Sequence, residues 1–381
     1  MTTSKRVFEL DALRGLSLFG ILLMNILPFS FPYDESFLPD KVDGVDELII
    51  RIVTTLIISS FYPIFTFLFG YGLAIMFDHS VQRDYGYYPV IFRRLTFLLA
   101  LGLIHGYFIF SGDILVDYAI TGMIAVLLIK KRPKALFITA IVLFTVKIVL
   151  IAIPKSLFTW LNGRYDTANF TGTSISKFIN TKQHGSYMSN IALNTYEKTM
   201  HILDLVTFGA FFEFLPYVLL GMVAQKVNLI DYIRNNQRKA MKWGCTFLII
   251  GYLVKLPYAI DYANQALSTL STMLGGPLVA TGYVLLFIIL CQKSNFVRFI
   301  SMFKYPGKLS LTIYLTQSII FTLIYGGLGF GFGLYDRLAL YQSYMIAIVI
   351  FILQMILSYY YLKKFKKGPF EWIWRKFTYL K

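Results

Sequence analysis

Ten stretches of 18 to 23 mostly apolar residues recur along the 381-residue chain, at 12–31, 59–77, 91–110, 112–129, 134–153, 204–225, 241–261, 269–291, 309–328 and 341–362. As a helix rising 1.5 Å per residue, each is about long enough to cross a hydrocarbon core of roughly 30 Å. Inside lipid, an open strand edge or an irregular segment leaves backbone N–H and C=O groups unpaired. The runs therefore point to an all-α, polytopic membrane protein with about ten transmembrane helices. Composition agrees. The chain is 57% hydrophobic and only 15% charged, where soluble domains run near 25% charged.

The formal net charge is +16. In a soluble chain that excess would raise nucleic acid as a partner. Here the basic residues lie in short connections between apolar runs, so membrane orientation accounts for them and no nucleic-acid partner is expected. With the N-terminus inside, 25 lysines and arginines fall in inside segments or at the inner ends of spans and 8 in outside segments. That asymmetry places both termini in the cytoplasm. "MTTSKR" resembles a signal-peptide n-region, but the run after it is long and no small-residue cleavage site ends it, so it reads as a retained span. The chain reads as one membrane domain, 1–381, with no defensible repeat. Residues 154–203 are expected as an extracytoplasmic loop, which contains a formal glycosylation sequon, Asn169 to Thr171. Residues 44–58 are amphipathic enough to lie in the outer interface. Residues 363–381 mix lysines with Phe, Trp and Tyr and suit a cytoplasmic tail anchored on anionic lipid.

Metal and disulfide chemistry have little support. Cys245 and Cys291 sit in or beside apolar segments without a CxxC or Cys/His pattern, and no HExxH-like spacing links the four histidines,.

Ionisable groups within spans usually face a cavity or a partner. His105 lies eleven residues beyond Arg94, about 16 Å along a helix and past the membrane midplane. Asp113 falls at the following turn, and Asp117 one helical turn deeper. The hairpin can bring all three into one outward-facing pocket, where a carboxylate sets the tautomer of the imidazole and raises its basicity for attack by a hydroxyl or amine. Two plainer readings stay open: His105 bonded to a neighbouring helix, and Asp113 as a helix N-cap after "SG". Asp11 and Arg14 share one face at the inner start of the first span, and Asn25 needs a hydrogen-bond partner at its depth. Lys147 and Lys255, in the outer halves of their spans, are expected to snorkel outward. Glu213 and Pro216 mark a kink facing the interior. "FLFGYG" (Phe67 to Gly72) and "LGGP" (Leu274 to Pro277) suit close helix packing. "GKLSLTIYLTQS" (Gly307 to Ser318) puts Ser310, Tyr314 and Gln317 in one span, which suggests a lined cavity; interhelical hydrogen bonding is the alternative.

These same stretches carry a resemblance. "LDALRGLSLFGILLMNI" (Leu10 to Ile26), "LFGYG" (Leu68 to Gly72), "RRLTFLLALGLIHGYFIFSGDIL" (Arg93 to Leu115), "GKLSLTIYLTQS" and "GPFEWIWRKFTY" (Gly368 to Tyr379) resemble the YeiB-like bacterial family. That family is grouped with a superfamily of transmembrane acyltransferases, which includes sugar O-acetyltransferases and the lysosomal heparan glucosaminide N-acetyltransferase. The likeness to those enzymes is greatest at the L-D-x-x-R-G start of the first span. It implies a bacterial inner-membrane enzyme that takes an acyl group from cytosolic acyl-CoA, such as acetyl-CoA, to an extracytoplasmic sugar or envelope glycan. Arg14, Arg93 and Arg94 would hold the CoA phosphates. His105 would be general base, oriented by Asp113 or Asp117. One departure bears on this. The sugar O-acetyltransferases carry a histidine eleven residues after that arginine, where this chain has Asn25. The base must then come from elsewhere, and Asn25, Ser310, Tyr314 and Gln317 would line the cavity. The competing expectation is a proton-coupled transporter or flippase for a small or lipid-linked solute, with His105 and Asp113 as relay. Membrane lipid is an expected partner under both readings, and self-association is left open.

Overall fold

The structure is a computed structural model that describes residues 7–32, 44–82, 86–162, 172–262 and 264–380; the sequon at 169–171 lies outside them. Every regular element among the described residues is helical. In chain order they are α1 (Phe8–Ser30), α2 (Val45–Leu56), α3 (Tyr62–Gln82), α4 (Tyr87–Phe108), α5 (Leu115–Leu127), α6 (Pro133–Lys147), α7 (Ile153–Asn162), α8 (Ile175–His184), α9 (Tyr187–Asp204), α10 (Leu215–Lys226), α11 (Leu229–Asn235), α12 (Gln237–Ile260), α13 (Gln265–Leu270), α14 (Gly276–Leu290), α15 (Ser294–Lys308), α16 (Ser310–Tyr325), α17 (Leu340–Lys364) and α18 (Pro369–Tyr379). Three π-helical stretches, Ile148–Ala152, Leu205–Phe214 and Ser271–Gly275, fuse α6 to α7, α9 to α10 and α13 to α14.

Among the described residues, eight helical stretches are long and apolar enough to cross a membrane, and nine if α15 and α16, bent by 81°, count as one span. The run at 112–129 forms only α5, 13 residues or about 20 Å. The shortfall has a local cause. A Cβ on Gly102 would sit 2.7 Å from the backbone nitrogen of Val116, so α5 begins level with Gly102, six residues or about 9 Å below the end of α4. The connection between α4 and α5 therefore folds back into the bundle before α5 starts. The return ends beside the start of α4, where the Lys130 ammonium lies 5.5 Å from the Tyr88 ring.

The start of α1 and the C-terminal helix α18 share one end of the bundle, called here the tail end. There α15 crosses α1 so closely that a Cβ on Gly307 would overlap the Asp11 carbonyl. Glu371 of α18 accepts the N–H groups of Leu311 and Thr312 and the Thr312 hydroxyl at 2.6–3.0 Å. It thus caps α16, whose start is left open by the bend. Trp374 of α18 lies under the Arg94 guanidinium at 3.5 Å and donates its indole N–H to the Arg94 carbonyl. The tail is therefore docked on α4 and α16, while Trp372, Ile373 and Phe377 stay exposed beside Lys376. At the far end, α2 packs through Ile50 and Val53 and leaves Val45, Leu48 and Ile52 bare, an apolar stripe suited to an interface. Among the described residues of the expected extracytoplasmic segment 154–203, α7, α8 and α9 supply the regular structure.

α3 and α10 meet at two glycines. A Cβ on Gly70 would lie 2.0 Å from the Val218 carbonyl oxygen, and one on Gly221 would lie 2.0 Å from that of Phe67. This is small-residue packing of the kind that holds helices together in lipid. Gly275 and Gly276 admit Lys255 and Ser59 in the same way.

Neither intramembrane lysine snorkels. Lys147 is 1% exposed and forms an ion pair with Glu213, which also accepts the Tyr62 hydroxyl. Lys255 is fully buried and donates to the Ile58 carbonyl at 2.7 Å and the Ser60 hydroxyl at 3.0 Å. Partners inside the protein outbid the distant interface. Glu213 lies in the π-helical stretch and Pro216 opens the next helix, so the kink read at these residues takes the form of a widened turn. Removing one member of the Lys147–Glu213 pair strands the other. Glu213→Leu is expected to destabilise the fold by about 3 kcal/mol, and Glu213→Leu with Lys147→Met to recover most of that loss. Thermal unfolding of the single and double variants in lipid nanodiscs checks both.

Candidate functional site

The α4–α5 connection is held by one carboxylate. Asp113 Oδ1 accepts the backbone N–H groups of Leu115 and Val116 at 3.0 and 3.1 Å, capping α5. Asp113 Oδ2 lies 2.7 Å from His105 Nδ1. The cap and the histidine partner are therefore one group using two oxygens. The Lys198 ammonium, from α9, donates to the Asp113 carbonyl at 2.7 Å and stands 3.8 Å from Oδ1. His105, Asp113 and Lys198 are all at most 1% exposed. The Tyr314 ring packs on the imidazole at 5.3 Å, and its hydroxyl accepts the Ile114 N–H. His105 Nε2 has no hydrogen-bond partner among the described residues.

Two glycines flanking His105 make this approach possible. A Cβ on Gly102 would press on Asp113 Oδ1 at 2.9 Å, and one on Gly106 on the Lys198 side chain at 2.8 Å. In "LGLIHG" the glycines are four apart, on the face of α4 that meets the returning turn and α9.

Asp117 is also buried but takes a different histidine. Its Oδ1 lies 2.9 Å from His201 Nε2, and its Oδ2 has no partner among the described residues. The far end thus holds two His–Asp pairs whose carboxylates are one helical turn apart.

His201, unlike His105, borders open space. A partly open cavity of about 240 Å³ sits at the far end, with the turn Phe108–Gly112 in its wall. One side is a polar stripe on α9: Asn190, Asn194, Glu197 and His201, at the 4-3-4 spacing of one helix face. Lys182 of α8 also lines it and donates to Asn194 Oδ1 at 3.3 Å. Burial pushes the Lys182 amine below the ordinary lysine range, partly offset by Glu197.

Asn25 lines this cavity; Ser310, Tyr314 and Gln317 do not. Gln317 donates to Gln354 of α17, which donates in turn to Thr316. Ser310 opens α16 beside the residues capped by Glu371. Tyr314 belongs to the packing around His105. Neither His105, Asp113 nor Asp117 is in the cavity wall. Arg14, Arg93 and Arg94 are at the tail end. Arg14 pairs with Asp11 at 3.3 Å, and Arg93 Nε donates to the Thr378 carbonyl. Arg94 is within electrostatic range of Arg14 and of Arg375. Lys198 and His201 precede the apolar run at 204–225 and read from sequence as loop residues. The recurrence of polar residues at 190, 194, 197 and 201 was the available signal.

Residues 224–381 match a family model described as a protein of unknown function (DUF418). Over nearly its whole length the chain is similar to the uncharacterized protein YxaH of Bacillus subtilis (strain 168), 29% identical over 399 aligned positions covering 99% of this chain and 95% of that one. It is similar to the uncharacterized protein YeiB of Escherichia coli (strain K12) at 27% identity, covering 98% and 96%. An uncharacterized 39.9 kDa protein of Bacillus acidopullulyticus is also 27% identical, covering 98% and 94%. These similarities support a YeiB-like family of unknown function. No solved structure matches the chain.

Lys198→Met removes the buried donor of the Asp113 carbonyl and the cation beside its carboxylate. The expected loss is about 3 kcal/mol, seen as a lower unfolding temperature in nanodiscs. An unchanged value would mean that Lys198 does not hold the turn.

Proposed function

We propose that the chain is an acyltransferase of the bacterial inner membrane, moving an acyl group from acyl-CoA at the tail end to a hydroxyl or amine of a sugar or envelope glycan at the far end. The observation that carries this reading is the enclosed His105–Asp113 pair, in which one imidazole nitrogen is tied to a carboxylate and Nε2 is left over. That is the arrangement of an oriented general base. The base removes the acceptor proton, the acceptor oxygen or nitrogen bonds to the thioester carbonyl carbon, the C–S bond breaks, and the proton passes to the departing thiolate.

Arg93 supports a phosphate site at the tail end. Only its Nε is used by the protein among the described residues, which leaves the fork of terminal nitrogens for an anion. Arg14 and Arg94 add positive charge to that locus. Arg94 and His105 belong to the same helix, about 16 Å apart along it, so α4 sets the span that the acyl arm must cover. The acceptor enters by the far-end cavity. Because His105 is behind the Phe108–Gly112 turn rather than in the wall, that turn must move for the two to meet.

A proton-coupled transporter or flippase is the second reading. The Lys147–Glu213 pair and the cavity-facing His201–Asp117 pair favour it, being titratable groups at or near membrane depth on separate helices,. Purified protein in nanodiscs decides between them. Under the transfer reading, acyl-CoA binds and is turned over, Arg93→Ala weakens binding, and His105→Ala lowers turnover by about 100-fold or more with binding retained. Absence of acyl-CoA binding, together with proton-dependent solute movement in vesicles, would sink it.

A further inference from the structure

The far-end cavity offers chemistry that the His105 pair does not use. Four of its polar groups keep hydrogen-bonding capacity facing the space. Glu197 accepts the Ser111 hydroxyl through Oε2 at 2.6 Å, and no described residue bonds its Oε1. The Asn25 side chain lines the cavity, and no described residue hydrogen-bonds it. Lys182 spends one of three donors, on Asn194. Asn190 spends its amide N–H on the Thr181 and Ser186 carbonyls, leaving its side-chain oxygen as an acceptor. The remaining walls are aromatic. Phe29 and Phe110 stack at 4.0 Å, and Phe178 meets Tyr335 edge-on at 6.0 Å.

The mixture narrows what fits. An acyl chain would cover Lys182 and Glu197 without bonding them, which costs several kcal/mol. An anion meets the Glu197 carboxylate, and a quaternary ammonium meets the Lys182 ammonium. A hydroxyl both donates and accepts, so neighbouring hydroxyls can bridge an ammonium, a carboxylate and two amides at once. The C–H face of a ring can lie on the aromatic side. At about 240 Å³, the space is below the roughly 300 Å³ where drug-sized pockets begin, which suits one ring.

We propose that this cavity is a binding site for a single sugar ring, with Lys182, Glu197, Asn190 and Asn25 as its polar contacts. Its use as the acceptor subsite rests on the transfer reading above; the binding itself does not. His201, oriented by Asp117, lies at the end of the same polar stripe, next to a hydroxyl of the bound ring.

Saturation-transfer NMR on the full chain in nanodiscs, free of sugar-based detergent, tests this with D-glucose and N-acetyl-D-glucosamine, and with choline and octanoate as counter-probes. The expected result is transfer to the ring protons of at least one sugar. Glu197→Gln and Lys182→Met should each weaken it about tenfold, the size of one lost charge-assisted hydrogen bond. No transfer from either sugar, stronger transfer to choline or octanoate, or transfer indifferent to both cavity variants overturns the site. The two readings fail separately. Sugar binding without any acyl-CoA binding leaves the site and removes the transfer reading. Acyl transfer to another acceptor without sugar binding does the reverse.

Discussion

A carboxylate at membrane depth is tolerated only where the protein supplies what water would, and Asp113 is the place where this chain makes that supply structural. Two backbone N–H groups, an imidazole and an ammonium converge on it. Much of the far end depends on that convergence. It draws the α4–α5 connection back into the bundle and lets a 13-residue helix complete the return. It also brings α9 against α4 through Lys198, which positions the polar stripe over the cavity.

The same rule governs the other charges within spans. Lys147 finds Glu213, and Lys255 finds the carbonyl and hydroxyl at the end of α2. None of these groups is left facing lipid. The helices accommodate them with π-helical stretches and glycine contacts rather than straight, uniform rods. At the tail end α18 follows suit. Glu371 satisfies the exposed start of α16, and Arg93 and Arg94 bind α18 to the helix that carries His105 at its other end. α4 is thus a rigid link between the arginines and the histidine.

Much of the architecture was legible in advance because crossing a bilayer demands apolar length, and length is a property of a linear sequence. Nearly all the expected runs reappear as long helical stretches, and the amphipathic segment at 44–58 reappears as α2. The proximity of His105 and Asp113 was also legible, since eight residues around a helix end can bring two side chains together. The histidine partner of Asp117 was not. His201 is 84 residues away in sequence, and only the packing of α9 on α4 and α5 brings it near. The lysines show the same limit from the other side. A lysine in the outer half of a span reads as snorkelling unless a partner from another helix is known to be present.

Apolar run length, the distribution of lysines and arginines and the eight-residue spacing of His105 and Asp113 thus determined the helical class, the expected orientation and the neighbourhood of one histidine, because each follows from local sequence. Which ionisable groups meet, which of them face the cavity and where the chain folds back into the bundle were decided by helix packing. A buried charge takes whichever partner the assembled helices bring within reach, and that distance is not written in the order of residues.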